Sequence, residues 1–176
     1  MDRENALFAD AIHNGHDYTQ PGFYGITLCT YHRRWLFGML QHGQMQLNQT
    51  GHIAQEAWKG LANRWPCVLL HEFVFMPNHM HALVELIETP GQKQISLFEV
   101  VRTFKGRSSR MIRKSADELW IGWEKNQWSS IVFQEEYLAN VRQYILNNPA
   151  KWTQDRLMQE EYKLHEIRRS RPKQEP

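Results

Sequence analysis

The spacing of apolar residues along the chain alternates between the two-residue period of a strand and the three-to-four-residue period of a helix. Runs rich in β-branched and aromatic residues predict strands at residues 23–31, 68–76 and 79–87. Amphipathic stretches predict helices at residues 53–65, at residues 95–114, and from Glu135 or Glu136 to near Asn147. The pattern also predicts a hairpin over residues 36–47, a short strand at 130–133 within an irregular stretch, and a helix beyond residue 150.

The two strands at residues 68–87 are predicted to form a hairpin at the centre of a sheet. The first is apolar on both faces, which is typical of a strand buried inside a sheet. A turn at Pro77 and Asn78 precedes the second strand, in which successive side chains point to opposite faces. One face then carries Met80, Ala82, Val84 and Leu86, and the other carries His79, His81, Leu83 and Glu85.

The composition fits one globular domain with its own core. The chain has 176 residues, of which 41% are hydrophobic and 23% charged. No run approaches the roughly 18 apolar residues of a membrane span, and the polar residues 1–5 are unlike a signal peptide. We therefore expect a cytoplasmic protein with no membrane partner. Cys29 and Cys67 match no zinc pattern and predict two buried thiols, and a net charge of +2 is too small to indicate nucleic-acid binding by itself.

His79 and His81 are the first candidate site. On a strand their side chains share one face, with Cα atoms about 7 Å apart, close enough to bind one metal ion. A metal offsets the cost of desolvating two neutral imidazoles, and two ligands leave room for substrate oxygens. Because the chain has 9 histidines, two of them can readily fall two residues apart by chance. A purely structural pair of histidines therefore remains the alternative.

Tyr144 and Asn148 are the second candidate site. Four residues apart on a helix, their phenol and amide oxygens project from one face, with Asn148 slightly displaced by the following Pro149. The alternative is that Tyr144 is a half-buried packing residue and that the Asn-Asn-Pro sequence only ends the helix.

The helix at residues 95–114 is the third candidate, as a phosphate-binding surface. Six cations without an intervening acid lie between residues 101 and 114: Arg102, Lys105, Arg107, Arg110, Arg113 and Lys114. Such a run is typical of a surface that contacts a phosphate backbone. The alternative is a solvated helix face, partly neutralised by nearby acids such as Glu124.

In combination, these motifs resemble one family. The block Phe75-Met76-Pro77-Asn78-His79-Met80-His81-Ala82-Leu83-Val84 resembles the signature of IS200-like Y1 transposases of the HUH superfamily, specifically the REP-associated tyrosine transposases. The block Tyr144-Ile145-x-x-Asn148-Pro149-x-x-Trp152-x-x-Asp155 resembles their tyrosine motif. The resemblance covers residues 17–155 and leaves an N-terminal arm at residues 1–16 and a basic tail at residues 156–176 outside.

The resemblance implies a fold and a reaction. The fold would be α+β, a ferredoxin-like antiparallel sheet of four or five strands with helices packed on it. His79 and His81 would bind a divalent cation, Mg²⁺ or Mn²⁺, with Asn148 as a further ligand. Tyr144 would attack a phosphodiester of single-stranded or hairpin DNA, leaving a 5′-phosphotyrosine and a free 3′-hydroxyl. The cations of the basic helix would contact DNA phosphates, and the protein would act as a monomer or homodimer.

One block departs from the family pattern. Relatives commonly read Trp-Gln-x-x-Tyr-Tyr-Glu-His-Ile-Ile-Arg where this chain has residues 123–133, which lack the Tyr, Glu, His and Arg of that block. Two other readings therefore stay open. One is a domesticated module that binds DNA hairpins without cutting them, and the other is a metal-dependent phosphodiesterase in which water replaces Tyr144.

Overall fold

The computed structural model describes residues 16–115, 122–125, 128–132 and 135–154, and gives only the backbone for 128–132, 135–136 and 153–154. The predicted arm at residues 1–16, except for residue 16, and the predicted tail at 156–176 lie outside this part of the chain, as does the end of the predicted domain. Of the predicted helix beyond residue 150, only a 3₁₀ turn at Pro149–Gln154 is described.

Six strands and three α-helices make up the described fold. They are β1 (Gly22–Cys29), β2 (Gly38–Gln41), β3 (Gln44–Leu47), α1 (Gln49–Lys59), β4 (Val68–Met76), β5 (His79–Leu86), α2 (Leu97–Lys114), β6 (Trp128–Val132) and α3 (Glu135–Asn147). The main sheet has the order β4-β5-β1-β6, and β2 and β3 form a separate hairpin. Every pairing is antiparallel. The order β1-α1-β4-β5-α2-β6 is the ferredoxin-like arrangement, which confirms the predicted α+β fold.

The two faces of the sheet carry different layers. Apolar residues of α1 and α2 pack with the face that includes Met80, Ala82 and Val84, and this forms the main core. On the opposite face, Leu83 packs against Val141 and Ile145 of α3. The alternation predicted for β5 is therefore confirmed, and α3 lies on the face that carries both histidines. Within the described residues, no helix is long and apolar enough to cross a membrane.

Several boundaries differ from the prediction. Strand β4 lies at one end of the sheet order rather than at its centre, because β5 and β1 occupy the central positions. Helix α1 begins at Gln49, since the Asn48 side chain accepts a hydrogen bond from the Gly51 N–H. It ends at Lys59 rather than near residue 65, because from Leu61 onward the N–H groups donate to carbonyls three residues back instead of four. Cys29 and Cys67 are buried, as predicted.

Candidate active site

Two buried histidines stand next to each other at the start of β5. Antiparallel pairing with β1 sets Cys29 opposite His79 and Thr27 opposite His81. Both imidazoles are almost inaccessible, with exposures of 0% for His79 and 2% for His81. Their Nε2 atoms are 3.1 Å apart. The two-residue period of the strand thus brings the predicted pair together on one face.

Hydrogen bonds on the far side of each ring orient the pair. The Nδ1 of His79 lies 2.7 Å from the Asn78 Oδ1, so this nitrogen donates and leaves the Nε2 lone pair available. The Nδ1 of His81 lies 2.8 Å from the Thr27 hydroxyl, which can either accept or donate. Such partners fix the ring orientation of metal-binding histidines.

The electrostatic environment keeps both imidazoles neutral. Burial lowers the pKa of His79 well below its ordinary value of 6.5, and electrostatic interactions with His81 and Arg33 lower it further. Burial also lowers the pKa of His81 to about 3. Neutral imidazole is the form that binds metal ions. In the tautomer in which His81 donates from Nδ1 to Thr27, the two Nε2 lone pairs face each other and need a proton or a cation between them.

Tyr144 lies against this pair. Its ring meets the His81 ring edge to face, with the centroids 5.2 Å apart. Trp152, in the 3₁₀ turn after α3, stacks on His79 with the centroids 5.8 Å apart and the planes at 30°. The end of α3 and the turn after it therefore place one aromatic ring against each imidazole.

Asn148 lies along the chain between these two aromatic contacts. Its side chain is buried, at 4% exposure, and its Oδ1 has no hydrogen-bond partner. A buried amide oxygen without a partner lowers the stability of the fold unless it accepts a hydrogen bond or binds a cation. Because Tyr144 and Trp152, which flank it in the chain, each contact one of the two histidines, Asn148 is a candidate third ligand.

This donor set fits a divalent cation. Neighbouring ligands of an octahedral ion at about 2.1 Å are about 3.0 Å apart, close to the 3.1 Å between the two Nε2 atoms. The described part of the chain contains no group of three or more His, Cys, Asp or Glu side chains that could hold a metal ion. Among the described residues, the donors for an ion here are thus the two imidazoles and the amide oxygen of Asn148.

Comparison with known proteins identifies the family. The model of the IS200-like transposase family matches residues 26–148. This chain belongs to the IS200-like transposase family. An uncharacterized protein of Haemophilus influenzae is 32% identical over 160 residues, which are 81% of this chain and 88% of that protein. The solved structure of a REP-associated tyrosine transposase bound to a REP hairpin has a TM-score of 0.58 at 17% identity, covering 80% of this chain and 74% of that one. That likeness shows a shared fold.

In this IS200-like chain, the sheet itself anchors the helix that carries Tyr144. Arg142 of α3 donates to the Glu72 carboxylate at 2.9 Å, and its other terminal nitrogen lies 3.4 Å from the Nδ1 of His71. The Nε2 of His71 lies 2.8 Å from the carboxylate of Glu85 on β5. A register shift between Leu70 and Phe73 forms a β-bulge, which explains how two consecutive residues of β4 reach the same helix.

Sequence reasoning missed these anchoring residues. Within the apolar strand β4, the adjacent polar pair His71 and Glu72 breaks the alternation, and that break is the signal for a bulge. Nothing in the sequence indicates Arg142 as their partner, because it is 70 residues from Glu72. Trp152 belongs to the quoted tyrosine motif, but its contact with His79 could not be read from the sequence.

The basic helix α2 is not part of the site formed by the histidines and Tyr144. Helix α2 packs on the opposite face of the sheet from the histidines. Five of its six cations are exposed, namely Arg102, Arg107, Arg110, Arg113 and Lys114. Three of them, Arg110, Arg113 and Lys114, line an open cavity of about 530 Å³ together with Gly106 and Ser109. The structure thus does not bring these cations together with Tyr144.

Lys105 differs from the other cations of α2. It is half-buried, and its Nζ donates to the backbone carbonyl of Glu124 at 2.7 Å. Burial lowers the pKa of this ammonium group. Of the block that departs from the family pattern, Trp123 is buried and donates to the Ser108 hydroxyl at 3.0 Å. The side chains of residues 126–133 lie outside the described residues.

Proposed function

We propose that this protein is a metal-dependent transesterase that cleaves and rejoins single-stranded DNA at hairpin-bearing sequences through a covalent bond to Tyr144. One observation carries the proposal: the Tyr144 ring lies against His81 on the same face of the sheet, beside two convergent Nε2 atoms. Membership of the IS200-like transposase family supports it. We also place the protein in the REP-associated branch, whose hairpin-bound member shares this fold.

In the proposed reaction, the Tyr144 oxygen attacks the scissile phosphorus. The new bond joins phosphorus to the phenolic oxygen, the bond from phosphorus to the 3′-oxygen breaks, and the phenolic proton is lost while the 3′-oxygen gains a proton. The products are a 5′-phosphotyrosine and a 3′-hydroxyl. The phosphodiester is exchanged rather than hydrolysed, so a second 3′-hydroxyl can reverse the step and join the strands.

The residues of the site have distinct roles in this scheme. His79, His81 and Asn148 would hold Mg²⁺ or Mn²⁺, which when bound supplies Lewis-acid polarisation of the phosphate. Without such help a phenol is a weak nucleophile at neutral pH, because its pKa is near 10. Thr27 and Asn78 hold the imidazoles in position. The contact with His81 orients the Tyr144 ring, and Trp152 covers His79.

The test is the covalent intermediate. The protein is incubated with labelled DNA hairpins that carry randomised single-stranded flanks, with Mn²⁺ or with EDTA, and SDS-resistant adducts are resolved by electrophoresis. We expect a metal-dependent adduct that Tyr144→Phe abolishes. Tyr137→Phe is the matched control, because Tyr137 is a 53% exposed tyrosine on the same helix.

Each other result assigns a different function. Cleavage without an adduct, retained in Tyr144→Phe, would indicate water as the nucleophile and a phosphodiesterase. Tight hairpin binding without cleavage by the wild-type protein would indicate a domesticated binding module. An adduct that persists in Tyr144→Phe would move the nucleophile to another residue.

A further inference from the structure

The loop that follows β1 exposes two large aromatic side chains on either side of a pair of arginines. Tyr31 and Trp35 are 40% and 52% exposed, and Arg33 and Arg34 lie between them in the sequence. His32 and Arg33 have φ angles of 52° and 53°, in the left-handed region that non-glycine residues rarely adopt. Backbone strain of this kind persists only where the surrounding structure imposes it, and it is concentrated at functional sites.

Hydrogen bonds to Gly122 and Glu124 hold the backbone of this loop in place. The Tyr31 N–H donates to the Gly122 carbonyl at 2.9 Å, and the His32 N–H donates to the Glu124 carboxylate at 2.7 Å. Lys105 in turn donates to the Glu124 carbonyl. The aromatic side chains are thus exposed on a braced backbone. This gives Lys105 a role as a support of the loop.

The same loop adjoins the active site. The N–H groups of Leu36 and Phe37 both donate to the carbonyl of Pro77, at 2.9 and 3.1 Å, in the turn that leads into His79. The Trp35 ring lies 6.0 Å from the Trp152 ring, the ring that stacks on His79. The Trp152 ring therefore lies between Trp35 and His79, and a ligand on Trp35 would be one aromatic ring away from the histidine pair.

We propose that Tyr31 and Trp35 form a stacking platform for the bases of the single strand next to the scissile phosphate, with Arg34 contacting the backbone of that strand. This inference rests on the proposed function. Exposed aromatic rings combined with cations are the features by which proteins bind single strands without reading their sequence. The two arginines of residues 31–35 outnumber the one carboxylate that, among the described residues, is hydrogen-bonded to this stretch, that of Glu124. The remaining positive charge suits a polyanion better than an acidic or apolar protein surface.

The platform is tested by binding, measured separately from cleavage. Fluorescence anisotropy follows Tyr144→Phe protein on a hairpin with randomised single-stranded flanks, on the same hairpin without flanks, and on one with abasic flanks, all at fixed ionic strength. Trp35→Ala is added to this background and compared with Trp35→Phe. The matched control is Phe98→Ala, because Phe98 is a 39% exposed aromatic residue at the start of α2.

We expect Trp35→Ala to weaken binding of the flanked hairpin about tenfold, and Trp35→Phe to restore most of it. Phe98→Ala should change nothing. The hairpin without flanks should bind all variants equally. Abasic flanks should lower the affinity of the parent to that of Trp35→Ala, with no further loss in the variant, because the same stacking contact is missing in both cases.

Three results would overturn the platform. The first is that Trp35→Ala and Phe98→Ala bind the flanked hairpin with equal affinity. If Trp35→Ala in otherwise wild-type protein also forms the adduct normally, the platform is wrong and the proposed function stands. A dimer that Trp35→Ala converts to monomer, seen by light scattering, would make the surface an interface between copies of this chain. Failure of the parent protein to bind any hairpin would remove the proposed function and the platform together.

Discussion

Replacing Asn148 with leucine should stabilise the metal-free protein while weakening its response to metal. The Asn148 Oδ1 is buried without a hydrogen-bond partner, a state that costs about 1–3 kcal/mol. Leucine has a similar size and no polar atom, and the backbone of Asn148 does not have the positive φ that would disfavour it. We expect the free energy of unfolding to rise by about 1–2 kcal/mol. For a chain of this size, each kcal/mol raises the melting temperature by about 2–4 °C.

Scanning calorimetry in EDTA and in Mn²⁺ measures both effects. An ion at a hundred times its dissociation constant stabilises the folded state by about 2.7 kcal/mol. The wild-type protein should show a shift of this kind, and Asn148→Leu should show a smaller one because it lacks the amide ligand. Asn147→Leu is the matched control, since Asn147 is an exposed asparagine one residue earlier. It should change stability by less than about 0.5 kcal/mol and keep the full Mn²⁺ shift.

Two results would refute this reasoning. If Asn148→Leu melts below the wild-type protein in EDTA, the amide makes a stabilising contact in the folded state. If it keeps the wild-type Mn²⁺ shift, Asn148 is not a ligand, and the ion depends on the histidines alone.

Three further predictions concern acid, helix docking and salt. In EDTA, the free energy of unfolding should fall as the pH drops below 6.5, because the unfolded imidazole of His81 takes up a proton near 6.5 whereas burial lowers its folded pKa to about 3. His81 contributes up to about 1.4 kcal/mol per pH unit, and His79 adds to the fall because burial lowers its pKa too. Above pH 6.5 both histidines are neutral in both states, and in a urea-denaturation series His81→Asn should reduce the pH dependence below 6.5 and leave the part due to His79. A double-mutant cycle of Glu72→Gln and Arg142→Met should give a coupling of about 1 kcal/mol in the free energy of unfolding, and each variant should form the adduct more slowly. Additive effects of the two substitutions would show that α3 docks on the sheet without this ion pair. Arg110→Gln should reduce the slope of log affinity against log salt by about 0.9 without changing the adduct rate at saturating DNA; an unchanged slope would remove α2 from the DNA interface.

The sequence was most informative where local geometry decides the structure. A period of two is enough to put His79 and His81 on one face of β5 and the apolar residues on the other. Pro149 is enough to end α3 near Asn147, because the residue before a proline disfavours helical geometry. The structure confirms both.

Position within the sheet was not predictable in the same way. The apolar residues of β4 suggested a central strand, but they are equally explained by helices that cover both faces of an end strand: α1 packs on one side and α3 on the other. The pattern reports burial and not the number of neighbouring strands. Lys105 presents a related difficulty, because it looks like its neighbours in the basic run and is distinguished only by the Glu124 carbonyl, 19 residues away.

One polypeptide supplies both the imidazole pair and the phenol, since α3 folds back onto the same sheet that carries β5. Dilution should not separate the parts of such an active site. The rate of strand cleavage per protein molecule should therefore not depend on protein concentration. Mixing His79→Ala with Tyr144→Phe should restore no strand cleavage, because neither defective molecule can lend its intact half to the other.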